Sequence, residues 1–197
     1  MDISLFDGVA PGALVLSTSN NSIINFFNPS EEKHSSLYIG PGIIDLIIEN
    51  YIDFPTHIFD NYTKYMIEVN TSGMEIIPLN TFISNKKYIK VYYFMEGIFP
   101  DYKVMKEALI QSFTNSRKEY GLSKNKTYCF KMIADCYRDI GIMVKSYKIL
   151  GRHLYLSQSF SSDNRWFKII DTISGENLLT RNCYYFKRRG NSKSSTS

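Results

Sequence analysis

The chain has 197 residues, 44% hydrophobic and 21% charged, the balance of one folded domain with a real core rather than a disordered or fibrous chain. Its formal net charge of +4 is matched by Lys187, Arg188, Arg189 and Lys193 in a stretch from 187 to 197 that holds no acid, so residues 1–186 are formally neutral. Residues 1–186 are therefore expected to form the domain, and 187–197 a basic, Ser-rich disordered tail with scope for peripheral membrane contact. Nucleic-acid binding is not expected, because no basic, aromatic-interleaved groove occurs elsewhere.

In chain order, Ala13-Leu14-Val15-Leu16 after Pro11-Gly12 reads as a short buried strand, and Ile23 to Phe27 as a short helix closed by Asn28-Pro29. His34 to Gly40 reads as a second strand. Ile43 to Tyr51 has helical spacing, and the Pro55 region is a loop. Lys64 to Val69 and Met74 to Ile77 are strands joined by the turn Asn70-Thr71-Ser72-Gly73, and Lys87 to Met95 is another strand. The period then changes: Val104, Met105, Ala108, Leu109, Ser112 and Phe113 recur at helical spacing. A second helix starts near Thr127, carries Phe130, Ile133, Tyr137 and Ile140, and stops at Gly141. Arg165 to Ile170 reads as a further strand. Strands gathered in the first half and helices in the middle predict an α+β fold.

Asp2 and Asp7 stand where a secretory leader needs a basic residue, and the apolar window 42–49 is broken by Asp45 and Glu49, far short of the roughly 20 apolar residues of a spanning helix. Three cysteines spaced 7 and 47 apart form no disulfide framework, so a reducing compartment, the cytoplasm, is expected. No metal or cofactor is implied: the three cysteines and three histidines contain no C-x-x-C or H-x-x-H pair.

With Thr127 as N-cap, Cys129 falls at the second residue of its helix, where free N–H groups and the helix dipole favour a thiolate and suit an oxyanion. Taken by itself, a thiol on an apolar helix face is more often a core residue. Cys136 lies two turns further on and reads as core; Cys183 has no partner at metal spacing. A thiol nucleophile needs a base, and the candidates are His34, which opens the second strand, His57 in a Pro-containing loop, and His153 after Gly151-Arg152.

The stretch Pro29-Ser30-Glu31-Glu32-Lys33-His34-Ser35-Ser36-Leu37-Tyr38-Ile39-Gly40 resembles the histidine strand of circularly permuted NlpC-type papain-like proteins, as does the order histidine strand, acidic strand, cysteine helix. Tyr128-Cys129-Phe130-Lys131-Met132-Ile133-Ala134-Asp135-Cys136-Tyr137 and Leu156-Ser157-Gln158-Ser159-Phe160-Ser161-Ser162-Asp163-Asn164-Arg165-Trp166 resemble the poxvirus branch of that group, and the similarity runs from about Pro11 to Asp171. The resemblance implies an antiparallel sheet or small barrel packed against the helix that carries the cysteine. It implies Cys129 as nucleophile, His34 as base and Glu68 as the third polar residue, with Asn70 and Glu75 as rivals to Glu68.

The activity implied is that of a cysteine hydrolase or acyltransferase acting on an amide or ester, with a small amphipathic, lipid-like or peptide-like substrate, in the cytoplasm of an infected host cell. The alternative is a non-catalytic protein that keeps the scaffold to bind a host protein. Two departures from the family pattern bear on substrate access. Ser35-Ser36 stands where a Gly usually follows the histidine, and about twenty extra residues between Gly40 and Tyr65 are a candidate cover for the cleft.

Overall fold

Seven strands form one antiparallel path among the described residues, and the strand at its centre, Leu14–Ser19, begins with the unbroken buried run Leu14, Val15 and Leu16. The computed structural model describes residues 1–19, 29–115, 120–121 and 126–179. The expected helix at 23–27, Cys183 and the basic tail lie outside these residues. The strands of the path are β1 (Leu14–Ser19), β2 (His34–Gly40), β3 (Tyr65–Asn70), β4 (Gly73–Pro78), β5 (Lys86–Glu96), β9 (Trp166–Asp171) and β10 (Glu176–Asn177), in the order β10-β9-β5-β1-β2-β3-β4. The short β6 (Phe99–Pro100) hairpins back on β5, and β7 (Tyr147–Ile149) with β8 (Arg152–Leu154) forms a separate two-stranded ribbon. Among the described residues the path is open at β10 and β4, so the expected antiparallel sheet forms and its barrel alternative does not.

The helices are α1 (Ile43–Glu49), α2 (Leu79–Ser84), α3 (Tyr102–Thr114), α4 (Cys129–Asp139) and α5 (Gln158–Ser161), after a 3-10 turn at Ile3–Phe6. Asp101 caps α3, its side chain accepting the Val104 N–H at 3.0 Å. α3 packs along α4, and α4 lies across β2 and β3. Gly12 (φ +83°) seats the start of β1 against α3: a Cβ there would stand 2.1 Å from the Met105 carbonyl oxygen, so only Gly fits.

Helix α4 is buried almost all round, which a surface helix with one apolar stripe is not. Its Tyr137 ring meets Phe94 at 5.5 Å and Trp166 at 5.3 Å, and Phe160 of α5 meets Trp166 at 5.3 Å. Aromatic pairs of this geometry contribute about 0.5–1.5 kcal/mol each beyond the area they bury. The buried carboxylate of the helix, Asp135, is 1% exposed and is held by Lys131 Nζ at 2.6 Å and Arg138 Nη1 at 2.5 Å. These contacts fix α4 rigidly over the strands, and its first residue is Cys129.

Candidate active site

β2 and β3 pair antiparallel with Ser36 opposite Glu68, so His34, two residues earlier, shares a face with Glu68 and lies diagonal to it. Long side chains reach across such a diagonal. His34 Nε2 stands 2.7 Å from Glu68 Oε2, with the imidazole 19% and the carboxylate 10% exposed. The rival Asn70 turns away to accept the Ser72 N–H in the β3–β4 turn at 2.8 Å. Glu75 stands opposite Glu68 in that ladder but is not the group His34 bonds.

Cys129 is 6% exposed and opens α4. The N-cap is Tyr128 with extended backbone (φ −144°), not the expected Thr127, so Cys129 is the first residue of the helix rather than the second. The shift has a tertiary cause. Thr127 is held extended by a bridge to Tyr120, its carbonyl accepting the Gly121 N–H at 2.7 Å. The first intrahelical bond is Met132 N–H to Tyr128 O at 2.8 Å, so the N–H groups of Cys129, Phe130 and Lys131 point out of the helix end without an intrahelical acceptor.

The thiol and the imidazole act on each other through charge and a side-chain hydrogen bond. Burial pushes the Cys129 thiol up, but the charge and hydrogen bonding of His34, aided by Ser35, outweigh it and hold the thiol below its ordinary value. Burial likewise opposes the His34 cation, and Cys129 and Glu68 together overcome it, raising the imidazole from 6.5 to about 9. For Glu68, burial again acts against the charge; the hydrogen bond and charge of His34, with Lys86, leave the carboxyl below its usual range. A thiolate–imidazolium pair backed by a carboxylate is the state these shifts favour.

Segments distant in sequence hold the site's rim. Tyr128 Oη accepts the Tyr155 N–H at 2.7 Å. The 156–160 motif clasps the loop before His34: Ser157 Oγ accepts the Glu32 N–H at 3.2 Å, and Ser157 N–H donates to Ser30 Oγ at 3.2 Å. Glu32 is itself anchored to β5 by Lys90 at 2.6 Å.

His57 is exposed in its loop, and His153, exposed on β8, bonds Ser146 Oγ at 3.1 Å; neither joins the cluster. Cys136 is fully buried in α4 beside Met132. The extra segment after Gly40 leaves from the end of β2 remote from His34. There Phe54 meets Phe113 of α3 at 5.6 Å and Phe59 meets Tyr65 at 5.3 Å. Sequence reasoning did not single out Lys86, whose Nζ lies 4.0 Å from Glu68 Oε2.

The model of the family described as permuted papain-like amidase enzyme, YaeF/YiiX, C92 family, matches residues 8–170. Among curated proteins, Protein OPG091 of Vaccinia virus (strain Copenhagen) and that of Variola virus (isolate Human/India/Ind3/1967) are each 35% identical over 162 residues, 82% of this chain and 84% of theirs. Protein OPG091 of Monkeypox virus is similar to the same extent.

Proposed function

Because the chain belongs to the family of permuted papain-like amidases, we propose that it is a cysteine hydrolase or acyltransferase in which Cys129 is the nucleophile, His34 moves the proton and Glu68 orients His34. The observation that carries this reading is the 2.7 Å bond from Glu68 Oε2 to His34 Nε2, which leaves Nδ1 as the ring nitrogen free to serve the thiol at the start of α4. The substrate class we assign is an amide or ester of an amphipathic, lipid-like or peptide-like molecule. The setting is the cytoplasm of a host cell infected by a virus related to those that encode the OPG091 proteins. No helix among the described residues is long and apolar enough to cross a membrane.

With the Cys129 proton already on His34, the thiolate sulfur forms a bond to the carbonyl carbon. The C=O π pair moves onto oxygen, where the outward N–H groups of the first turn of α4 and the helix dipole stabilise the charge. Imidazolium, kept in one tautomer by Glu68, gives its proton to the leaving amine or alcohol as the C–N or C–O bond breaks. A thioester remains. Water or an acceptor amine, deprotonated by His34, attacks it, and sulfur leaves as thiolate.

A thiol-reactive acyl probe tests the reading. Wild type is expected to label at Cys129, Cys129→Ala not at all, and His34→Ala about 100-fold more slowly or worse. Equal labelling of all three proteins overturns the catalytic reading and leaves a scaffold used for binding a host protein.

A further inference from the structure

Lys86 opens β5, and an irregularity in the sheet decides where it points. β5 pairs with β1 in regular register down to Tyr88 opposite Thr18, but the next pair is Lys86 opposite Ser19, so Lys87 is an extra residue on the β5 side. Strict alternation would put Lys86 on the face of Tyr88 and Lys90. The bulge turns it instead onto the face of Ser19 and therefore of Ser17, two residues earlier, and Ser17 is the cross-strand partner of His34. Lys86 thus shares a face with His34 and Glu68.

Its side chain is only 9% exposed, a rare condition for lysine. The ammonium lies 4.0 Å from Glu68 Oε2 and 4.2 Å from the centre of the Phe82 ring of α2, which shields it from water. Burial lowers its proton affinity, while the negative ends of Glu68 and Cys129 act to keep it charged. The groups facing this end of the site are Glu68 on β3 with Glu75 opposite it on β4, His34 on β2, Cys129 on α4 and the apolar Phe82 on α2.

We propose that Lys86 is a positioning residue for the reaction: its ammonium braces the Glu68 carboxylate and lends a positive potential to Cys129, so that four charged groups, not three, ready the nucleophile. The proposal rests on the reading of Cys129 and His34 as the reacting pair. It makes a signed prediction, because removing a fixed positive charge raises the proton affinity of every group that feels it. In Lys86→Met the thiol must hold its proton to higher pH.

The test is the pH profile of Cys129 alkylation by iodoacetamide, followed on the Cys129 peptide by mass spectrometry, in wild type, Lys86→Met and Lys86→Arg of the full chain. The expected result is an acid limb displaced upward by about half a pH unit or more in Lys86→Met and kept near its wild-type position in Lys86→Arg. An unmoved limb in Lys86→Met overturns the proposal. So does a loss of labelling at every pH in both variants, which marks a purely structural lysine. If wild-type Cys129 itself titrates like a free thiol, the reacting pair fails first, an outcome separate from either of these.

Discussion

Glu68 Oε2 faces two cations, His34 Nε2 at 2.7 Å and Lys86 Nζ at 4.0 Å, and that double pairing is what lets a carboxylate stay ionised at 10% exposure. Its consequence lies in His34. The carboxylate stabilises the imidazolium, and replacing it by the isosteric amide in Glu68→Gln keeps a hydrogen-bond acceptor but removes the charge. Cys129 supplies the larger share of the rise of the imidazole to about 9 and Glu68 the smaller, so the imidazole moves down from there without reaching its ordinary 6.5. Acylation needs imidazolium to protonate the leaving group, so its rate drops above the imidazole pKa; in Glu68→Gln that basic limb moves to lower pH. A pH–rate profile with an activated ester reads the limb directly, and a limb that stays in place removes Glu68 from the site. Sequence pattern and family resemblance together named Cys129, His34 and Glu68. Neither reached Lys86, because alternation along β5 assigns it to the wrong face and the bulge that reverses it depends on the pairing partner.

Among the elements, α4 is held by its own packing, while the strand start at His34 depends on a clasp from far along the chain. Ser157 is fully buried, and its hydroxyl is the acceptor for the Glu32 N–H two residues before His34. Ser157→Ala leaves that N–H buried without a partner, which costs about 1–3 kcal/mol. The expected outcome is an unfolding free energy from urea titration lower by that amount, together with slower Cys129 acylation, since the loop sets the entry angle of β2. Full stability with slowed acylation, or the reverse, separates the two roles, and no change in either discards the clasp. The long elements were legible from their composition and spacing: β2, β3 and β4 between turn residues, α3 from the helical spacing of Val104 to Phe113, and α4 as far as its stop at Gly141. The three-residue strands β7 and β8 are too short to show a period, and α2 follows directly on β4 with Pro78 at its cap position. At the start of α4, the Thr127 preference for an N-cap yields to the Tyr120 bridge, a tertiary contact that outweighs a local propensity.

Over the whole molecule, the α+β class follows from element types, but the sheet order does not: β5 lies between β1 and β9, pairings across some seventy to eighty residues of chain that no local pattern encodes. The same topology fixes what the extra residues after Gly40 do. β2 runs from His34 to Gly40, and β3 returns from Tyr65, so the segment joins the strand ends remote from the imidazole, about 20 Å away along β2 at the rise of a strand. Its contacts keep it there: Gly42 N–H donates to Asn61 O at 2.9 Å, Ile44 N–H to Asn61 Oδ1 at 2.9 Å, and Phe54 and Phe59 pack on Phe113 and Tyr65. A cover over the cleft, the expectation raised by its length, would need to reach past the full strand. Tyr51 and Tyr62, 96% and 93% exposed, are its most accessible aromatics. Changing both to Ser is therefore expected to leave the rate of Cys129 alkylation within about twofold of wild type, the effect of surface substitutions worth no more than about 0.5 kcal/mol. An acceleration of about tenfold or more, equivalent to about 1.4 kcal/mol, would instead mean that these rings restrict access to the thiol and that the segment closes over the site.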